Sequence, residues 1–310
     1  MISQERRRTT SEMAAAEQAN PPPLSVIIPS YNEAAGIGDT LRELLTYPGL
    51  EEAEVIVVND ASTDDTAEIV AQFPRVRLLS HPVNRGYNSA LQTGMRGAKG
   101  RYLIWYDSDG QHRPEDLMKI YRALVDDDLQ YCIGVRGADS HEVNSRRFGK
   151  RILRWTVQII AGRAVPDFNS GLRGFQRDVI LQYLHLFPRG FGASTLTTLI
   201  MIERHHYGTT VPITVRERVG VSQVKALRDG IRTLMIVLRM LLLFKPLVFF
   251  GSISLLLILS GSIYGFAEAI SLREGFPVFG ALVIILGVQT LFFGLINDQV
   301  SQMRREKFRD

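Results

Sequence analysis

Two stretches late in this 310-residue sequence carry no charge. "PLVFFGSISLLLILSGSIYGFA" runs from Pro246 to Ala267, and "GFPVFGALVIILGVQTLFFGLIN" from Gly275 to Asn297. Each exceeds the roughly 20 apolar residues that take a helix across a bilayer. Only "EAISLRE" separates them, so residues 246–297 read as a hairpin of two transmembrane spans. Two buried helices of a soluble core are the competing reading, and the length criterion counts against it.

The basic residues orient the hairpin. Arg228, Arg232, Arg239 and Lys245 precede the first span, and Arg304, Arg305, Lys307 and Arg309 follow the second, in a basic tail over 298–310. The linker holds only Arg273, beside Glu274. Positive charge stays inside, so both termini and the large N-terminal region are expected in the cytoplasm. The net charge is +4, and its basic residues gather near the spans. That favours anionic membrane lipids as partners and no nucleic acid. Residues 1–23 are polar, end in a proline run and lack the apolar core of a signal peptide; they read as a disordered tail. The single cysteine, Cys132, sits in the strand-like "LQYCIGV" and reads as a buried thiol.

Over residues 24–227 the pattern is that of an α/β domain. "LSVIIP", "AEVIVVN", "RVRLLS" and "RYLIWYD" read as strands. Amphipathic segments lie between them, from Gly38 to Leu45, Asp64 to Gln72 and Tyr87 to Ala98. Alternating strands and helices predict a mainly parallel, Rossmann-like sheet. Ligands in such sheets bind beyond the carboxyl ends of the strands.

Those ends carry polar groups: Pro29, Tyr31, Asn32 and Glu33, then Asn59 and Asp60, then Arg85 and Gly86, then "DSDGQH". Ser62, Thr63 and Asp64 read more simply as caps of the helix that follows. Asp107 and Asp109 stand one residue apart at the tip of an aromatic strand, and adjacent carboxylates resist ionising together. A divalent cation would offset them, and Gln111 adds a neutral oxygen on the same alternation. Such a set suits Mg²⁺ or Mn²⁺, which take a few protein oxygens together with substrate phosphates. A capped turn with solvated aspartates is the plainer alternative. The chain supplies its own control, since "VDDDLQ" repeats the spacing at Asp126 and Asp128 where a solvated loop is expected.

"SVIIPSYNE", "VIVVNDASTDDT", "NRGYNSALQTG" and "DSDGQH", in that order, resemble the nucleotide-sugar half of family 2 glycosyltransferases, inverting enzymes of the GT-A fold. The resemblance implies that Pro29, Tyr31, Glu33, Asp60 and Gly86 bind the donor. It implies that Asp107 contacts ribose or metal, and that Asp109 and Gln111 hold the metal. His112 reads as support for the turn. "DFNSGLRGFQR" is similar to the acceptor segment of polyprenyl-phosphate glycosyltransferases of the dolichyl-phosphate mannose synthase type. On that resemblance Asp167 is catalytic, as a base or an orienting group, together with Asp109. Ser170, Arg173 and Arg136 bind the acceptor phosphate. "PITVRERVGVSQVK" resembles a loop that closes over donor and lipid phosphate, which adds Arg218, Ser222 and Lys225. It departs from the family pattern, because Gln223 stands where a lysine commonly follows the serine.

The implied reaction is transfer of one sugar from a UDP- or GDP-linked donor to a polyprenyl phosphate. The two-span layout resembles bacterial undecaprenyl-phosphate glucosyltransferases, which implies the bacterial plasma membrane and a homo-oligomer such as a tetramer. "RRFGKRILRWTVQIIAGR" and residues 228–245 place arginines on one stripe and apolar residues on another, as interfacial helices do. Two alternatives stand beside this reading. A processive polysaccharide synthase usually carries a QxxRW motif and more spans, and Trp155 sits in "ILRW" without the glutamine. A non-catalytic nucleotide-sugar binding protein would not need the full Asp107, Asp109, Gln111 and Asp167 set.

Overall fold

The computed structural model describes residues 23–137, 157–158, 162, 165, 167–188, 192–216, 235, 238–272 and 275–306. The chain divides into two compact units. The first is Met1–His141, Asn169–Ser194 and His205–Val221; the second is Glu142–Phe168, Thr195–Arg204 and Ser222–Asp310.

The first unit is built on strands β1 (Leu24–Ser30), β2 (Glu54–Asn59), β3 (Val76–Ser80), β4 (Tyr102–Trp105), β5 (Tyr131–Arg136), β6 (Arg173–Gln176) and β7 (Gly208–Ile213). They form a seven-stranded sheet in the order β3-β2-β1-β4-β6-β5-β7. Helices α1 (Ala34–Thr46), α2 (Thr66–Ala71), α3 (Tyr87–Gly97) and α4 (Pro114–Asp126) alternate with the first strands. β1 is buried along its whole length, as an unbroken apolar run covered on both faces must be. Val26, Ile28, Val55 and Val57 share one core with Ile37, Leu41 and Leu44 of α1 and Leu117, Ile120 and Leu124 of α4. Each such side chain gains about 1.5–3 kcal/mol from leaving water. α4 opens on Pro114 with Glu115 and Asp116 in its first turn, the residues a helix start favours. Cys132 is fully buried in β5, and burial pushes its thiol up to about 12.

Strand direction decides what meets at the site. β1 runs parallel to β2 and β4, and β2 to β3. β6 is antiparallel to both β4 and β5, while β5 and β7 are parallel. The carboxyl ends of β1 to β5 and of β7 therefore share one edge with the start of β6. Arg173 pairs with Trp105, so Ser170, Gly171 and Leu172 lie just beyond the tip of β4.

The second unit contains helices α7 (Pro246–Leu272) and α8 (Val278–Glu306), numbered after α5 (Arg177–Leu181) and α6 (Ala193–Glu203). Their apolar windows have mean hydropathy 2.1 and 2.3, and only 11% and 17% of those windows is buried. A soluble core helix would be mostly covered, so that reading fails, and both helices are long and apolar enough to cross a membrane. α8 also runs on past Asn297, so 298–306 continues the helix. The two helices pack closely through small residues. Ser254, Gly261 and Gly265 are buried on α7, and Gly280, Gly287, Gly294 and Ser301 on α8. An added Cβ on Gly261 would lie 3.0 Å from the Gly280 carbonyl oxygen. The α8 set recurs every seventh residue, the period of a left-handed helix pair. The Gly261/Gly265 pair is thus used inside the hairpin. Residues 235 and 238–244 are helical. The rest of the expected interfacial helix, and its counterpart around Phe148, Ile152 and Trp155, lies outside the described residues.

Candidate active site

Loops β1–α1 and β2–α2 are stapled by short polar side chains. Asn32 Oδ1 accepts from the Thr63 backbone at 2.8 Å, and Ser62 Oγ accepts from the Asn32 backbone at 3.0 Å. Asp64 Oδ2 accepts from Ala34 N at 3.1 Å, and Thr66 Oγ1 accepts from Glu33 N at 3.0 Å. Ser62 and Thr63 thus bond to the neighbouring loop rather than capping their own helix, whereas Asp64 does both, its Oδ1 accepting from Thr66 N at 3.2 Å. α2 starts at Thr66 after Asp65, which makes no side-chain cap bond. Ser62, Thr66 and Asp64 also satisfy the backbone N–H groups of Asn32, Glu33 and Ala34 ahead of and at the start of α1. Asn32 and Ala61 both take left-handed backbone, φ 55° and 60°. Such conformations concentrate where a loop must present groups in a fixed direction. At the first tip, Pro29 offers its carbonyl to Ser108 Oγ at 3.2 Å, Tyr31 is exposed, and Glu33 precedes α1 half-buried.

Asp60 is 3% exposed and faces inward. Its Oδ1 lies 2.6 Å from His81 Nδ1 and accepts from Arg85 N at 2.9 Å; its Oδ2 accepts from Gly86 N at 2.6 Å. His81 Nε2 lies 2.8 Å from Thr93 Oγ1. Asp60 thereby holds the turn that opens α3, where Gly86 takes φ 88°. His81 carried no sequence signal, because it belongs to no periodic pattern.

Asp107 is half-buried and Asp109 is 8% exposed. Tyr87 Oη donates to Asp107 Oδ1 at 2.9 Å, and His112 Nε2 lies 3.2 Å from Asp107 Oδ2. Tyr106 Oη donates to the His112 carbonyl at 2.7 Å, so His112 does support the turn and also reaches the carboxylate. Asp109 Oδ1 accepts from Gln111 N at 3.2 Å. Gln111 exchanges two bonds with Arg216: its carbonyl accepts from Arg216 N at 2.9 Å, and its Nε2 donates to the Arg216 carbonyl at 3.3 Å. Its Oε1 has no protein donor among the described residues. Arg216 is held in turn by both Glu43 oxygens at 2.9 Å. Burial, then the charge of Asp107, holds the Tyr87 phenol well above its ordinary value, so it remains a donor.

The start of β6 closes the site from a third side. A Cβ on Gly171 would fall 2.5 Å from Asp107 Oδ2, so only glycine fits there. Arg173 is fully buried beneath. Its Nε donates to the Ser170 carbonyl at 3.0 Å and its Nη1 to the Ser194 carbonyl at 2.6 Å, while Nη2 also donates to Ser170. The guanidinium sits 5.6 Å from the Trp105 ring centroid. Its positive charge lowers the Tyr87 pKa, against Asp107 and Asp109, which raise it. Arg136 ends β5 exposed at the same edge. Asp167 belongs to the second unit and takes φ 36°. Arg218, Ser222 and Lys225 lie outside the described residues.

The profile of glycosyl transferase family 2 matches residues 25–192, more than half of the sequence. The chain belongs to this family. Its catalytic unit has the GT-A fold, and the profile of the GtrB C-terminal hairpin matches residues 245–303. This family 2 glycosyltransferase is 28% identical to the undecaprenyl-phosphate 4-deoxy-4-formamido-L-arabinose transferase of Edwardsiella ictaluri, over 90% of the chain and 89% of that protein. It is 26% identical to the UDP-N-acetylglucosamine–dolichyl-phosphate N-acetylglucosaminyltransferase of Methanococcus voltae, over 50% of the chain and 70% of that protein. Among solved structures, glucosyl-3-phosphoglycerate synthase of Mycobacterium tuberculosis, crystallised with Mn²⁺ and UDP, superimposes with TM-score 0.58 at 20% identity. That match covers 73% of this glycosyltransferase and 81% of the synthase, and it shows the shared fold.

Proposed function

We propose that this glycosyltransferase moves a single sugar from a nucleotide sugar to a polyprenyl phosphate at the cytoplasmic face of a membrane. The observation that carries the reading is one sheet edge bearing Asp107, Asp109 and Gln111 beside Asp60 and Ser170, in a chain with two membrane-length helices. Relatives named for undecaprenyl and dolichyl phosphate support the acceptor class. The basic flanks of the hairpin support the orientation.

The residues fit Mg²⁺ or Mn²⁺. Asp109, Asp107 and the Gln111 Oε1 are oxygen donors, and an ionised carboxylate offers about four acceptor sites. No group of three or more His, Cys, Asp or Glu residues suited to a metal occurs among the described residues, and substrate phosphate and water oxygens would complete the coordination. Asp107, Asp109 and Gln111 would hold the cation, which would supply positive charge to the departing diphosphate. A phosphate oxygen of the lipid attacks the anomeric carbon from the opposite face. The bond from that carbon to the diphosphate breaks, and the nucleoside diphosphate leaves with the electron pair. The attacking phosphate is already anionic, so positioning outweighs general-base chemistry. Arg136 meets the acceptor phosphate at the exposed edge, with Arg218, Ser222 and Lys225 as further contacts. Buried Arg173 works from below, fixing the Ser170–Gly171 backbone. Asp167 orients the acceptor phosphate or a cation beside it. Pro29, Tyr31, Glu33 and Gly86 line the donor side, and Asp60 shapes it through the Gly86 turn.

Purified protein with Mn²⁺, undecaprenyl phosphate and a panel of labelled UDP- and GDP-sugars tests this. One donor should give a lipid-linked monosaccharide. Absence of product with every donor and both metals, or a polymer, would overturn the reading.

A further inference from the structure

Asp107 is gripped by protein groups from separate segments. Tyr87 Oη reaches Oδ1 from the first turn of α3, at 2.9 Å. His112 reaches Oδ2 from the loop after β4, at 3.2 Å. Gly171 packs so close on the Oδ2 side that an added Cβ would fall 2.5 Å from that oxygen. The carboxylate therefore holds one orientation.

Tyr87 is itself fixed from both sides. The preceding N–H groups of Arg85 and Gly86 are held by Asp60, at 2.9 and 2.6 Å. The following residue, Asn88, is fully buried. Its Nδ2 donates to the Pro188 carbonyl at 2.9 Å, and its Oδ1 accepts from Ala193 N at 3.3 Å. Four consecutive residues thus tie the β2 tip, the β4 tip and the segment before α6 to one helix start.

We infer that Tyr87 is a positioning residue for the donor site, setting the Asp107 carboxylate in the orientation that takes the cation and the ribose side of the nucleotide. The inference rests on the metal-dependent reading above. A pre-set carboxylate needs no reorganisation when charge arrives. Losing an outer partner of a metal ligand typically costs about 10–100-fold in metal affinity. A Tyr–Asp bond that served only the fold would lower stability and leave metal affinity alone.

Tyr87→Phe removes one oxygen and keeps the ring. Binding of UDP and of GDP to the full-length protein in detergent is measured by calorimetry, with Mn²⁺ and with EDTA. Mn²⁺ binding is followed in parallel by the loss of its free electron-paramagnetic signal. The same titrations are run on Asp107→Asn and on the double variant, at Mn²⁺ high enough to saturate Asp107→Asn. Tyr87→Phe should weaken Mn²⁺-dependent binding about tenfold or more. It should leave binding in EDTA unchanged, and add almost nothing in the Asp107→Asn background. Unchanged Mn²⁺ affinity, an equal loss in EDTA, or a full additional loss in that background would overturn the inference and leave the function standing. A wild-type protein that binds neither nucleotide in a Mn²⁺-dependent way would sink the function and the inference together.

Discussion

Asp107 and Asp109 have the spacing of Asp126 and Asp128, yet the two pairs live in different physics. The first pair follows a buried strand, and Asp107 is enclosed by Tyr87, His112 and Gly171. The second ends a helix in water, where the Asp128 side chain is 78% exposed and meets a similarly exposed Arg101 at 3.3 Å and the Gln176 amide at 3.5 Å. Spacing of charge is therefore not what makes a site. Depth makes each charge costly, and a costly charge persists only where fixed partners or a ligand stabilise it. Exposed charges are screened by water and bind nothing firmly.

Substitutions can break or sharpen this contrast. The largest effect is expected at Asp109→Asn, which should lower product formation at least about a hundredfold. The double change Asp126→Asn with Asp128→Asn should leave it within about twofold, as expected for surface charges. Comparable rates for the two proteins would erase the distinction. The buried carboxylates should also dominate stability. Asp60→Ala strands three donors, the buried His81 Nδ1–H and the part-buried N–H groups of Arg85 and Gly86, and a buried orphan costs about 1–3 kcal/mol, a part-buried one less. A large drop in the thermal midpoint should follow. Gly171→Ala puts a methyl against Asp107, and overpacking of that kind costs about 1–3 kcal/mol. Its clearest readout is weaker nucleotide binding, with the midpoint falling less than for Asp60→Ala.

A pH effect separates the regions more finely. Burial first, then Asp107, raises the Tyr87 pKa in the folded protein. The unfolded chain releases that proton near pH 10, about the ordinary tyrosine value. Above that pH the folded state holds the proton and the unfolded state does not, so stability falls as pH rises. Burial of Tyr106 acts in the same direction. Midpoints measured across this alkaline range should decline less steeply for Tyr87→Phe than for wild type. The smallest change belongs to Asp128→Ala, within about 0.5 kcal/mol. A loss of 2 kcal/mol or more there (about the cost of orphaning a buried group) would mean the exposed pair is not the passive loop described.

Much of this was readable beforehand. Unbroken apolar runs marked β1, β2 and β4, and polar residues after them marked the edge that holds the site. His81 and Asn88 were not readable, since a lone buried histidine or asparagine leaves no periodic trace. Tyr87 sat inside a recognised motif, but nothing local shows which way its hydroxyl points. Arg173 was read as a phosphate ligand from its motif, whereas its guanidinium lies buried against backbone carbonyls. The small-residue seam of α8 lay open in the sequence as Gly280, Gly287 and Gly294, yet only the partner helix gives the period its meaning.

The sequence by itself determined the two membrane-length helices, because an uncharged run of that length has few other stable environments. It also determined the alternation of strands and helices, because side-chain periodicity is local. The tertiary structure alone decided the partner of each carboxylate. Asp60 with His81, Tyr87 with Asp107 and Gly171 with Asp107 are far apart along the chain. They meet because β6 runs antiparallel between β4 and β5 and because the β2 and β4 tips flank the start of α3. Strand order and direction are set by how whole elements bury one another, and no short stretch of sequence encodes that.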